Sequence, residues 1–190
     1  VIVDAQLKNG LKVTAQQLKS AITKKTKIVV INSPSNPAGV MYTESELGRL
    51  AKVIMDSDAY IISDEIYEKL VYDGFKCISI ASLGKDIFDR TFVVNGVSKS
   101  YSMTGWRIGY CAGPVDAMDA ISNLQDHSTS NPSSISQKAA LAALKGPQDC
   151  VSAMRDEFQK RRDFMMQCID KMRNISYIKP QGAFYIFCDI

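Results

Sequence analysis

Apolar residues fall into two kinds of pattern along this chain, and their alternation predicts the layers of the fold. Short apolar runs rich in β-branched residues occupy residues 28–32, 59–63 and 91–95. Each has the length of a buried parallel strand and runs into polar or turn-forming residues. Between them the spacing becomes helical. Thr14-x-x-Gln17 and Thr43-x-x-Glu46 are capping boxes, and after the second Leu47, Leu50, Ala51 and Ile54 recur at helical intervals. Each box therefore opens a helix packed along one face. Strands joined by helical crossovers run parallel. Residues 106–112 form a further strand-like run after only a short connection, which predicts an antiparallel neighbour for the third strand.

Helices are expected next at 115–127, 133–145 and 148–172, with Gly146-Pro147 as the break between the last two. In the last, Val151, Met154, Phe158, Met165, Ile169 and Met172 form one stripe interrupted at Arg161 and Arg162. A methionine-rich stripe of this kind reads as core or interdomain packing. Pro180-Gln181-Gly182 then breaks the pattern and opens a smaller unit. The fold class expected is α/β: a partial three-layer α/β/α architecture on a mainly parallel sheet, followed by the start of a small α+β domain.

With 46% hydrophobic and 23% charged residues, the chain fits a globular protein with a substantial core. Its net charge of +3 comes without a basic stripe or interleaved aromatics, so no nucleic-acid partner is expected. No apolar run approaches the length needed to span a membrane. Cys77, Cys111, Cys150, Cys168 and Cys188 are scattered and form no C-x-x-C pair. That usage favours reduced thiols in the cytoplasm over a disulfide or metal framework. His127 is the only histidine and is read as structural, which leaves no His-rich metal site.

The chemistry concentrates at the strand ends. Lys99 follows the third strand, and Arg107 lies eight residues on. An unprotonated lysine amine condenses with an aldehyde, a neighbouring cation favours that form, and a planar guanidinium binds phosphate through paired hydrogen bonds. Together they suit pyridoxal phosphate, which carries both groups. Asp64 ends the second strand, where a carboxylate could keep the cofactor's ring nitrogen protonated; an aspartate there could equally be a helix N-cap. Tyr67 could set a phenol against the ring's 3-oxygen. Asn36, held before Pro37 in the loop after the first strand, could donate an amide to that oxygen or to a substrate carboxylate. The same letters also make a plain turn.

Three co-linear segments carry a family resemblance: Ser-Pro-Ser-Asn-Pro-Ala-Gly (33–39), Ser-Asp-Glu-Ile-Tyr-Glu (63–68) and Val-Ser-Lys-Ser-Tyr-Ser-Met-Thr-Gly-Trp-Arg-Ile-Gly-Tyr (97–110). They resemble the signatures of the class I/II pyridoxal-phosphate aminotransferases. Residues 126–137 and 179–185 are similar to the bacterial-type (Ib) aspartate aminotransferase branch. The resemblance implies that Lys99 forms the aldimine with pyridoxal phosphate and serves as catalytic base, while Asp64 pairs with the ring nitrogen. It also implies that Tyr67 and Asn36 contact the 3-oxygen, that Arg107 binds the phosphate, and that Asn36 lies near the substrate carboxylate. The expected reaction moves an amino group between an L-amino acid, aspartate first, and 2-oxoglutarate. A cytoplasmic homodimer is expected, with residues 128–133 near the partner's site.

One position departs from the pattern. Many relatives carry a serine phosphate ligand three residues before the lysine, where this chain has Gly96. By the same resemblance the chain reads as an internal piece: residues 1–165 as the later part of the large cofactor-binding domain, and 166–190 as the end of the interdomain helix and the start of the small domain. Other enzymes on such a site remain open: an aromatic aminotransferase, a β-lyase or a cyclising synthase. So does the ligand domain of an aminotransferase-like transcriptional regulator.

Overall fold

A computed structural model describes residues 1–190. In chain order its elements are α1 (Ala15–Ala21), β1 (Ile28–Asn32), α2 (Glu44–Met55), β2 (Tyr60–Asp64), α3 (Lys85–Phe88), β3 (Thr91–Gly96), α4 (Val97–Ser100), β4 (Gly109–Ala112), α5 (Val115–Ser128), α6 (Ser134–Lys145), α7 (Asp149–Ile169), β5 (Ser176–Tyr177) and β6 (Cys188–Asp189). Both capping boxes form: the Thr14 and Thr43 hydroxyls accept from the backbone N–H of Gln17 and Glu46, whose side chains bond back to the capping residues. Each box satisfies two N–H groups that the first helical turn leaves without partners.

The main sheet has the order β1-β2-β3-β4, with the first three strands parallel and β4 antiparallel to β3. Its core lies where α1 and α2 cover one face. Leu18, Leu47, Leu50 and Ile54 pack there with Ile31, Ile61 and Ile80. Parallel register sets Asn32 opposite Asp64 and Asp64 opposite Val94, so β1 and β2 end level while β3 runs on to Gly96. This is the α/β architecture read from the sequence.

Two local readings need correction. The strand expected at 106–112 begins only at Gly109. Thr104–Trp106 instead coil into a 3₁₀ turn, and Arg107 takes a left-handed backbone (φ 50°, ψ 51°) that turns the chain before Gly109 pairs with Gly96. In α7, which stops at Ile169, the buried stripe runs through Arg162, while Met165 and Met172 are exposed. Arg162 is only 6% exposed. It holds both carboxylate oxygens of Asp73 at 2.9 Å, donates to the Pro180 carbonyl at 2.9 Å, and lies 4.8 Å from the centre of the Tyr72 ring.

That guanidinium fastens α7 to two distant segments. Around it, residues 180–183 thread between the loop after β1 and the segment after β2: Gln181 and Gly182 donate to the Gly39 carbonyl, and Ala183 donates to Leu70. Gly39 sits at φ +66°, and a Cβ on it would come within 2.7 Å of Pro180 Cβ. Only glycine allows both that backbone and that approach.

The Arg162 guanidinium beside Asp73, with Lys179 Nζ at 3.0 Å, holds the Asp73 carboxyl down at about 2 against its ordinary 3.8. Because the folded value is depressed, this stabilisation is complete above 3.8 and is lost as pH falls through about 2. Arg162→Ala in the full-length protein is expected to cost about 2–3 kcal/mol, somewhat less than breaking a fully buried pair, since Asp73 keeps Lys179. Urea unfolding at neutral pH measures the cost. Repeating it between about pH 4 and pH 2 should show a shallower acid dependence in the variant.

Candidate active site

Parallel neighbours in register share a face, so Asn32 and Asp64 stand side by side at the carboxyl ends of β1 and β2. Asn32 ties two features together. Its Nδ2 donates to the Asp64 carbonyl at 3.1 Å, and its Oδ1 accepts the Asn36 N–H at 2.7 Å. The loop bearing Asn36 is thus pinned to the strand ends, with cis bonds at Ser33-Pro34 and Asn36-Pro37. Asn36 itself is exposed. The role of Asn32 was not legible in advance, because an asparagine before Ser-Pro reads as one more turn residue.

Asp64 caps no helix, because turns follow the strand at residues 66–69. One carboxylate oxygen accepts the Ile66 N–H at 3.2 Å in a local Asx turn, and the other is left without a protein partner. The next acid turns the other way: Glu65 is buried, accepting from Ser63 at 2.8 Å and Ser79 at 2.6 Å. Alternation along the strand therefore selects Asp64, not Glu65, as the acid offered to the site.

Tyr67 is buried at the start of a second apolar cluster with Leu70 and Ala183. Its hydroxyl lies 2.6 Å from that of Tyr185. Burial pushes the Tyr67 phenol well up, and Tyr185 and the nearby Asp64 charge add to the rise. Lys99, on α4, brings its Nζ to 5.8 Å from the Tyr67 ring centre and 5.2 Å from that of Phe184. The ammonium thus rests against two aromatic faces. Tyr185 and Phe184 belong to a run whose resemblance carries no role for either; the Tyr67 hydroxyl that meets Tyr185 comes from 118 residues earlier, beyond any local pattern.

Gly96 and Gly109 are register partners, so residues 97–108 form one excursion closed at its base. Lys99 and Arg107 share it. A Cβ at Gly96 would lie 3.1 Å from Gly109 Cα and 3.2 Å from Ile66 Cδ1, so a serine there would crowd the closure. Arg107 is exposed, in its left-handed backbone, and Nη1 donates to the Thr104 carbonyl at 2.9 Å. Most of its five N–H donors remain available. The structure draws Lys99, Tyr67 and Asp64 together, holds Asn36 at the same strand ends through Asn32, and leaves Arg107 on the rim.

A cavity of about 750 Å³ lies elsewhere. It follows the open edge of β1 and is lined by such residues as Val3, Ile22, Val30 and Phe187. It reaches the site only at Asn32, Ser35 and Asn36 and touches none of Lys99, Asp64, Tyr67 or Arg107. Chemistry, not volume, marks the site.

A lysine, an aspartate and a tyrosine thus lie near the carboxyl ends of a mainly parallel sheet in an α/β fold. The family model for aminotransferase class I and II matches residues 1–190, and the chain belongs to that family. It is 49% identical over 190 residues to the aspartate aminotransferase of Bacillus sp. (strain YM-2), covering 100% of this chain and 48% of that protein. To the aspartate aminotransferase of Bacillus subtilis (strain 168) it is 51% identical over 187 residues, covering 98% and 48%. The crystal structure of the Rhizobium meliloti aspartate aminotransferase superposes with a TM-score of 0.95 at 40% identity, covering 99% of this chain and 47% of that one. The chain spans about half the length of the curated relatives it matches. The family uses pyridoxal phosphate. No helix is long and apolar enough to cross a membrane.

Proposed function

We propose that the protein containing this chain is a pyridoxal-phosphate aminotransferase acting on aspartate and 2-oxoglutarate, and that Lys99, Asp64, Tyr67, Asn36 and Arg107 are its site residues. The observation that carries the reading is the approach of the Lys99 amine to the Tyr67 ring, with Asp64 close to the same phenol, beyond the carboxyl ends of adjacent parallel strands. The donor set fits the cofactor group by group: an amine for its aldehyde, a carboxylate with one free oxygen for its ring nitrogen, and a guanidinium with spare donors for its phosphate.

When bound, pyridoxal phosphate supplies an aldehyde that takes up amines and a protonated ring that accepts electron density from the substrate α-carbon. Asp64 keeps the ring nitrogen protonated. The Tyr67 hydroxyl would donate a hydrogen bond to the 3-oxygen while keeping its proton. Arg107 and Asn36 bind and orient, the first on phosphate and the second beside the 3-oxygen and the substrate carboxylate. Lys99 would supply the amine that holds the aldehyde and the base that moves the substrate α-proton.

The same reading makes residues 1–165 part of a large cofactor domain and 166–190 the beginning of a smaller one. It also makes the whole protein a cytoplasmic homodimer with residues 128–133 near the partner's site. The test is direct. Full-length protein supplied with aspartate, 2-oxoglutarate and pyridoxal phosphate is expected to form oxaloacetate and glutamate in equal amounts. Turnover with an aromatic amino acid but none with aspartate would move the protein to another substrate class.

A further inference from the structure

A phenol has one proton to give and two lone pairs to receive. The Tyr67 and Tyr185 hydroxyls are 2.6 Å apart, at the short end for O–H···O contacts, and make no other hydrogen bond within the chain. Either could donate. If Tyr67 donates to Tyr185, its only proton is consumed inside the protein.

We propose that Tyr185 is a positioning residue for Tyr67: the Tyr185 hydroxyl donates to the Tyr67 oxygen, leaving the Tyr67 proton for the 3-oxygen of the cofactor and strengthening it as a donor. The proposal rests on the Tyr67 role given above. Accepting one hydrogen bond polarises a hydroxyl and makes it a better donor in the next.

Tyr185 is held where this requires. Ala183, two residues before it, is fully buried, donates its N–H to Leu70 and accepts from the Tyr72 hydroxyl. The rings of Tyr185 and Phe184 both meet Tyr67 edge-on, with centres at 5.8 Å and 5.4 Å, and Phe184 stacks on Phe158 of α7 at 5.5 Å. The charged groups facing Tyr67 are Asp64, whose negative charge opposes loss of the phenol proton, and the Lys99 ammonium against its ring. Tyr67 therefore stays a neutral donor with its oxygen fixed by Tyr185.

The test is a pH titration of the visible absorbance of the cofactor-loaded full-length protein, compared among the unaltered protein, Tyr185→Phe, Tyr67→Phe and the double variant. A donor to the 3-oxygen draws electron density from the cofactor and eases loss of its proton, so a weaker donor raises the midpoint. Tyr185→Phe is expected to raise the midpoint by roughly half a pH unit, the size of one modest hydrogen bond. Tyr67→Phe should raise it further, and the double variant should match Tyr67→Phe, because Tyr185 acts only through Tyr67. Phenylalanine keeps the ring contacts, so folding is preserved.

An unmoved midpoint in Tyr185→Phe, alongside a shift in Tyr67→Phe, would overturn the inference and leave the proposed function standing. So would a Tyr185→Phe shift that persists undiminished without the Tyr67 hydroxyl. Absence of any pH-dependent absorbance in the unaltered protein would instead overturn the proposed function, and the inference with it.

Discussion

Lys99→Ala in the full-length protein is expected to abolish transamination and the pH-dependent visible absorbance of the bound cofactor together, while the fold survives. Both losses follow from one atom. Nζ is the proposed attachment point for the cofactor aldehyde and the proposed base for the α-proton, so its removal strikes two steps. A positioned general base alone is worth about 10² to 10⁴ in rate, and the combined loss should lie at or above the upper end. The side chain rests against the faces of Tyr67 and Phe184, contacts worth about 1 kcal/mol, and makes no salt bridge, so the unfolding midpoint should move little. A variant with unchanged absorbance and full turnover would show that another amine does this work.

The fold was legible wherever the determinants were local. Both capping boxes lie within four residues, the apolar stripe of α2 is periodic, and the three parallel strands end where polarity returns; each formed as read. What escaped depended on partners far away in sequence. Arg162 looked like an interruption of an apolar stripe because Asp73 and Pro180, which neutralise and bond it, are brought to it only by the fold. Trp106 and Ile108 looked like strand residues, yet the left-handed Arg107 between them turns the chain. The Lys99, Asp64 and Tyr67 cluster was visible because each residue ends or follows a recognisable strand. Its outer supports, Asn32 and Tyr185, were not, since an asparagine before a proline loop and a tyrosine in an apolar run have many meanings until neighbours are known.

The second large effect is expected at Asp64, and the adjacent acid supplies its control. Asp64→Asn retains the acceptor for the Ile66 N–H and nearly the same shape, and removes only the charge. Turnover is expected to fall by at least about a hundredfold, the scale seen when one fixed electrostatic partner of a transition state is deleted. Cofactor binding should persist, more weakly, because Lys99 and Arg107 are untouched. Glu65→Gln should do the reverse. Its carboxylate is buried on the opposite side of the strand, bonded to Ser63 and Ser79, so neutralising it alters stability and leaves the chemistry intact. Rates and denaturant midpoints for both variants distinguish the roles. Unaltered turnover in Asp64→Asn would remove the carboxylate from the proposed mechanism, whereas equal losses in both variants would mean that the strand end, not the charge at Asp64, limits the reaction.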